Sequence, residues 1–263
     1  MKRVATKRVV IVGGGNLAES VAIAIANTDG VELAQIYVRS AERATQLHAL
    51  TGAATSTFEE PLAKADVYLL AVSDPAIGEL SHTLHFAAGA VVAHTAGSSP
   101  IEVINSDLRR AVFYPMQTFT RARRVDFSVI PIFVEGCDAE TLSEVRELAE
   151  LLSSNVTEMG SEERRRLHLS AVYVCNFVNA MFIAGEELVS QSGLEFAVLK
   201  PLVEECCAKA LDAASPRDVQ TGPAARGDVQ TIEKHIAMLS NNEPLQSMYQ
   251  QISNYIWQTL KRI

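Results

Sequence analysis

The stretch VVIVGGGNLAES, Val9–Ser20, decides how this chain is read. Four β-branched residues run into three glycines, and a polar segment that favours a helix follows. Gly13, Gly15 and Ala18 fit the spacing G-x-G-x-x-A, in which a strand turns tightly into a helix and holds a dinucleotide pyrophosphate at the turn. Each position has its own physical demand. Gly13 permits the turn, Gly15 lets the backbone approach a phosphate, and Ala18 lets the helix pack closely on the strand. Asn16 and Leu17 then sit at the helix N-terminus, where unpaired N–H groups favour an anion. The same glycines can also serve only to turn the chain, so the context decides.

The context is a β-α-β series. Short apolar runs at Arg8–Val12, Leu33–Val38, Val67–Val72, Ala90–His94 and Ala111–Tyr114 suit strands of a parallel sheet covered on both faces. Helical compositions lie between them at Asn16–Asn27, Ala41–Thr51 and Ala76–Leu84. Val129–Val134 and Asn155–Met159 read as further strands, flanking a helix over Asp138–Ser153 with Asp138 as its N-cap. The alternation predicts an α/β fold, a Rossmann-like doubly wound parallel sheet followed by an all-α second domain. The expected boundary puts a dinucleotide-binding domain at 1–157 and a helical substrate and dimerisation domain at 158–263.

From Ser161 onward no strand run is convincing. SEERRRLHLSAVYVCNFVNAMFIAGEELVSQSG, Ser161–Gly193, starts as a helix should and is apolar nearly all round between Ala171 and Ala184. Such a helix is expected to be buried on several sides, as a central helix or in a homodimer interface. Helices are also expected over Leu194–Ala213, Val229–Ser240 and Pro244–Lys261.

Composition narrows the classes. The chain has 263 residues and a formal net charge of −8, a poor match to bulk electrostatic binding of nucleic acid. The basic start, with Lys2, Arg3, Lys7 and Arg8, is followed by too short an apolar run for a secretory signal. No uninterrupted apolar run reaches the roughly 18 residues of a membrane span. The four cysteines, Cys137, Cys175, Cys206 and Cys207, form no CxxC pair and offer no zinc spacing, so they read as reduced, mostly buried thiols. The expectation is a soluble cytoplasmic protein with no bound metal and no membrane partner.

The end of the second strand bears on the cofactor. A dinucleotide site that prefers NAD places an acidic residue roughly 20 residues after the glycines. Here the sequence is YVRSAER, with Arg39, Ser40 and Arg43. An arginine fork and a hydroxyl suit the 2′-phosphate of NADP.

VGGGNLAESVAIAI, YVRS and LLAVSDPAIGEL resemble the NADP-binding domain of pyrroline-5-carboxylate reductases and deazaflavin-dependent NADP oxidoreductases. AVVAHTAGSSPIEVI, YPMQTFT, HLSAVYVCNFVNAMFIAGEEL and QTGPAARGDVQTIEKHI resemble more specifically a group of NADP oxidoreductases that joins a Rossmann-like domain to a helical domain of unknown function. The resemblance spans nearly the whole chain. It implies the fold and the cofactor class, and leaves the substrate open. The sequence departs at Tyr114, where that group more often has His before the proline. Related hydroxyacid dehydrogenases place a catalytic Lys four residues before an Asn of the long helix, and Val172 stands there in this chain.

Ligands of open α/β sheets bind beyond the carboxyl ends of the strands. Val72, Ser73 and Asp74 lie at one such end and are expected to flank the nicotinamide ribose. His94, Thr95 and Ser98 lie at the next: His94 as a proton donor or a structural histidine, Thr95 and Ser98 as substrate ligands or turn residues. On the long helix, His168 and Asn176 are polar residues in an apolar setting and are candidate catalytic groups. Arg226, in the loop before a helix, is a candidate clamp for a substrate carboxylate or a partner for Asp228. The expected activity is NADP-dependent hydride transfer with a small carbonyl, imine or alcohol held between the domains. The alternatives are a sensor or scaffold that binds NADP without turnover, and an enzyme that uses a deazaflavin as second cofactor.

Overall fold

The computed structural model describes residues 6–121 and 123–260. Lys2, Arg3 and the expected helix end at Lys261 lie outside the described residues. The chain forms two compact units, Met1–Cys175 and Asn176–Ile263.

The first unit is built on strands β1 (Lys7–Val12), β2 (Val31–Val38), β3 (Thr55–Thr57), β4 (Val67–Leu70), β5 (Val91–His94), β6 (Arg109–Pro115), β7 (Ile132–Gly136) and β8 (Val156–Glu158). They form one sheet in the order β3-β2-β1-β4-β5-β6-β7-β8. Helices α1 (Asn16–Ala26), α2 (Ala41–Thr51), α3 (Asp74–Thr83) and α4 (Ala139–Leu152) connect them. The doubly wound Rossmann-like expectation holds, since β3 through β6 pair in parallel. Side-chain alternation explains the covered faces. Val9 and Ile11 enter one apolar cluster with Val21 and Ile25 of α1 and Leu148 of α4. Val10 and Val12 enter another with Ile77 of α3.

The structure departs from the sequence reading in identifiable places. β7 runs antiparallel to β6, because residues 116–131 return the chain without a crossover helix. That strand starts at Ile132 rather than Val129, since Phe127–Val129 forms a single tight turn and Pro131 has no N–H to give a ladder. β3 is a polar Thr-Ser-Thr at the sheet edge and carries no apolar signal. Asp138 does cap α4, accepting the Thr141 N–H at 2.7 Å.

After β8 comes α5 (Ser161–Ala171), which belongs to the first unit, then a π turn over Val172–Asn176, then α6 (Phe177–Ser190). The division between the units falls within that turn. Within the single chain the burial expected of a central helix is not seen, since Tyr173, Val174, Phe177 and Ile183 are exposed; the dimer-interface alternative is left open. By length and composition alone, Ser161–Ser190 is apolar enough to cross a membrane, with a mean hydropathy of 1.5 over its most apolar window. That qualifies the reading from uninterrupted runs. Its first turns are fixed to the sheet: Arg164 is fully buried and forms an ion pair with Glu135 of β7.

The second unit contains α6, α7 (Lys200–Asp212), the short α8 (Pro223–Arg226), α9 (Val229–Met238) and α10 (Glu243–Leu260). The cysteines also depart from expectation. Cys137, Cys206 and Cys207 are exposed and Cys175 is half-buried, all four as free thiols.

Candidate functional site

A cavity of about 700 Å³ opens at the carboxyl ends of β1, β2, β4 and β5. That lies within the roughly 300–1,000 Å³ of small-molecule sites. One wall is Gly13, Gly14 and Gly15, followed by Asn16 and Leu17 of α1. Gly13 has φ +129°, and a Cβ there would sit 2.1 Å from the Ala71 carbonyl oxygen. The backbone of the β4 end therefore excludes any side chain at this position. Gly15 is different: a Cβ would meet nothing within 4 Å, so its bareness opens onto space. Gly15 precedes α1 with no side-chain cap, which leaves the first N–H groups of the helix uncapped. The Asn16 side chain is engaged elsewhere, donating to the Phe119 carbonyl at 3.1 Å.

At the end of β2, Arg39 is exposed and lines the cavity. Ser40 caps α2, its oxygen accepting the Arg43 N–H at 3.3 Å. Arg43 turns inward: its Nε donates to the Gly14 carbonyl at 2.8 Å and its Nη2 pairs with Glu19.

Val72, Ser73 and Asp74 line the same cavity where β4 gives way to α3. The Asp74 carboxylate accepts the Ser98 hydroxyl and, at 3.0 Å, the Ser99 hydroxyl. Thr95 also lines the cavity, although it is largely buried and its hydroxyl reaches the Leu70 carbonyl only at 3.5 Å. His94 does not line it. The ring is fully buried, with Nδ1 accepting the Ala96 N–H at 3.1 Å and Nε2 lying 3.3 Å from the Pro100 carbonyl. Burial, and secondarily the Arg164 guanidinium, push its pKa down to about 4, so the ring is neutral at physiological pH. Both nitrogens are spent on the turn that follows β5, which is the structural member of the two sequence alternatives.

His168 has a partner that the sequence reading missed. Its Nδ1 lies 3.1 Å from the Tyr114 hydroxyl, and the rings meet edge to face. Gly97 makes room for the pair: a Cβ there would lie 2.6 Å from His168 Nδ1 and 2.7 Å from Tyr114 Cζ. Gly97 follows Ala96, which lines the cavity. Burial raises the Tyr114 pKa, while Arg164 opposes the rise. Arg164 fastens this corner. It pairs with Glu135, donates to the Ser99 carbonyl at 2.6 Å, and stands one helical turn before His168. In sequence it is one of three consecutive arginines and looks like a solvated face. Its spacing of three and four from Leu167 and His168 is the signal that could have singled it out.

Asn176 and Arg226 belong to the second unit, and both are exposed. Asn176 therefore has no buried setting that demands a partner. Asp228 caps α9 through Thr231, at 3.1 Å to its N–H and 2.8 Å to its hydroxyl. Among the described residues Arg226 forms no ion pair with it and contributes only a longer-range field. A separate apolar cleft of about 380 Å³ lies within the second unit, beside Met181, Leu188 and Tyr249.

Comparisons with known proteins divide the chain at a different place from the two structural units: the first family match ends inside the first unit, and the second begins there and runs across the boundary at Cys175. Residues 8–97 match the model of the family "NADP oxidoreductase coenzyme F420-dependent". Residues 130–256 match a domain of unknown function, DUF2520. No curated protein matches the chain. Among solved structures, a 1-pyrroline-5-carboxylate reductase from Streptococcus pyogenes is 13% identical with a TM-score of 0.62, over 96% of this chain and 98% of that one. A reductive aminase from Aspergillus terreus, in complex with NADPH and ethyl-5-oxohexanoate, is 15% identical with a TM-score of 0.64, over 95% of this chain and 94% of that one. At those identities the likeness is one of fold. A protein from Bacteroides fragilis described as a putative NADP oxidoreductase is 35% identical with a TM-score of 0.89, over 97% of this chain and 99% of that one. Agreement at that level from end to end gives the grouping: the chain belongs to the NADP oxidoreductase family that joins a Rossmann-like domain to a DUF2520 helical domain.

Proposed function

We propose that the protein binds NADP(H) in the cavity beside Gly13–Leu17 and transfers a hydride to or from a small carbonyl, imine or alcohol. The observation that carries this reading is the bare Gly15, open on its Cβ side and heading an uncapped helix. Backbone N–H groups of Gly15, Asn16 and Leu17 are suited to hold a pyrophosphate. Arg39 is the exposed cation of the cavity wall and is suited to the 2′-phosphate. The Ser40 oxygen accepts the Arg43 N–H, which leaves its hydroxyl proton to donate to the same phosphate. Val72, Ser73 and Asp74 line the cavity where a nicotinamide ribose would lie. The bound coenzyme supplies the hydride.

The chain's own part is to orient the substrate and move a proton. We assign the proton to the Tyr114–His168 pair rather than to His94, whose nitrogens are engaged by backbone. With Nδ1 facing the Tyr114 hydroxyl, His168 can recharge a tyrosine that has given up its proton. Thr95 and Ser98 are the candidate ligands of a substrate oxygen on the first unit. Asn176 and Arg226 are exposed polar groups of the second unit available to a carbonyl or carboxylate. The Aspergillus reductive aminase, with NADPH and a keto ester, has the same fold and supports carbonyl and imine substrates as the class to try first. The same reading includes a homodimer formed through the helical unit, supported by its exposed apolar side chains. It also includes a cytoplasmic location, which suits four free thiols.

Fluorescence titration with NADPH and NADH tests the assignment. Arg39→Ala should weaken NADPH about tenfold or more and change NADH by less than about twofold. Equal weakening of both would remove the 2′-phosphate role. Tight NADPH binding with no turnover across a panel of aldehydes, ketones and imines would favour a sensor over an enzyme.

A further inference from the structure

The G-x-G-x-x-A pattern requires two glycines, yet this chain has a third, Gly14. The neighbours of Gly14 explain it. A Cβ at Gly14 would lie 2.9 Å from Arg43 Cγ and 3.1 Å from Val38 Cγ1. The missing side chain lets Arg43 lie across the loop. Once there, all three guanidinium nitrogens are occupied. Nε donates to the Gly14 carbonyl at 2.8 Å, Nη1 donates to Gln46 Oε1 at 3.0 Å, and Nη2 pairs with Glu19. The Arg43 and Glu19 side chains are only 13% and 9% exposed, so this is an inner clasp and not a surface pair.

We propose that Arg43 is a positioning residue that presets the glycine loop for the coenzyme pyrophosphate, and that Glu19 keeps it from acting as a second ligand of the 2′-phosphate. The inference rests on the coenzyme reading above. Its physical basis is the planarity of the peptide bond. In a trans peptide the carbonyl and the following N–H point in opposite directions. Fixing the Gly14 carbonyl on Arg43 therefore fixes the Gly15 N–H on the opposite side. That N–H has no acceptor among the described residues, and Gly15 lines the cavity. A loop of three glycines would otherwise have wide freedom in that peptide plane. The clasp removes the freedom before any ligand arrives, so less ordering remains to be done on binding. Arg39 is left as the cation of the β2 end that faces the cavity.

The test uses three ligands on the full-length protein: NADPH, NADH and adenosine 2′-monophosphate, which carries the 2′-phosphate and lacks the pyrophosphate. Arg43→Met should weaken NADPH and NADH by the same factor, about tenfold, and leave adenosine 2′-monophosphate within about twofold. Arg39→Ala is the contrasting control and should weaken adenosine 2′-monophosphate and NADPH together. Loss of adenosine 2′-monophosphate binding in Arg43→Met, or loss of NADPH alone, would make Arg43 a phosphate ligand and overturn the proposal. Unchanged binding of all three would overturn it as well. Glu19→Gln gives a second reading in a milder variant. The NADPH-to-NADH preference should rise by about threefold or more, as the released guanidinium reaches the 2′-phosphate, and a preference within about twofold of wild type would show that Glu19 is not what keeps Arg43 off that phosphate. Wild-type protein that binds neither coenzyme would sink the coenzyme reading and the clasp with it. Wild-type binding with a shifted preference in Arg43→Met would sink the clasp alone.

Discussion

In the first unit, Val9–Val12, Val67–Leu70 and Val91–His94 bury every side chain, and helices cover both faces of the sheet. In the second unit only Ala224 and Leu239 are buried among the described residues. Leu202 is 67% exposed, Leu211 84% and Met238 80%. The two regions share the same apolar vocabulary but differ in what covers it. So small an interior gives the helical unit little apolar burial to set against the conformational entropy of ordering its chain. The homodimer proposed above would supply the missing surface, since a second copy brings a matching apolar face through twofold symmetry. Ile183, 59% exposed on α6, is the place to test it. Ile183→Asp would remove about 1.5–3 kcal/mol of burial from each copy and add an unpaired carboxylate to the interface. Light scattering after size-exclusion chromatography should show a dimer for the wild type and a monomer with a lowered Tm for the variant. The same mass and Tm in both would break the contrast between the units, because the exposed faces would then need no partner.

The first unit has the opposite vulnerability, a polar group sealed inside. His94 holds the turn after β5 through Ala96 and Pro100, and burial lowers its pKa to about 4 from the ordinary 6.5. The folded-state pKa is the depressed one. Between those two values the unfolded chain therefore binds a proton that the folded chain refuses. Stability is full above pH 6.5 and falls as the pH drops toward 4, by about 3 kcal/mol in total. His94→Gln has no such titration. The stability difference between wild type and His94→Gln, followed by chemical denaturation, should shrink or reverse on going from pH 7 to pH 4. Carboxylates such as Asp138 and Asp228, whose pKa values are lowered by hydrogen bonds to Thr141 and Thr231, titrate alike in both proteins and cancel. A difference independent of pH would mean that the ring is not sealed.

What the sequence disclosed follows the range of the interactions. The turn at Gly13 and the Asp138 cap are set within a few residues of themselves, and both lie where the sequence puts them; the Ser40 cap is equally local, but the sequence reading took Ser40 only as a phosphate ligand. The apolar strands were legible for the same reason, since burial on both faces leaves a continuous run. β3 was not, because an edge strand of Thr-Ser-Thr has no such run. Pairs distant in sequence were also hidden. Arg164 with Glu135, Tyr114 with His168 and Arg43 with Glu19 each join elements that only the completed sheet brings together. Asn176 misled in the other direction. An apolar sequence around it suggested burial, but exposure in the single chain left it without that constraint. The candidate site was thus readable where backbone makes it, at the glycine loop and the strand ends, and unreadable where side chains from separate elements meet.

The smallest expected effect asks which unit supplies the proton. Gly97 has ordinary backbone geometry, so Gly97→Ala introduces no φ strain and acts only through space. The added methyl lands against His168 Nδ1 and Tyr114 Cζ, and one of the two rings must move. Tyr114 is nearly buried in its strand, whereas His168 is half-buried, so His168 gives way and the 3.1 Å contact opens. Coenzyme binding should stay within about twofold, while kcat should fall about tenfold, equivalent to roughly 1.4 kcal/mol of barrier. The pH profile of kcat should also shift, since a tyrosine without its histidine loses the group that recharges it. Unchanged kcat and profile would separate the proton from this pair. The comparison between the units would then turn on Asn176, because a proton path that survives in Gly97→Ala has to be assembled from groups other than those the sheet brings together around Gly97.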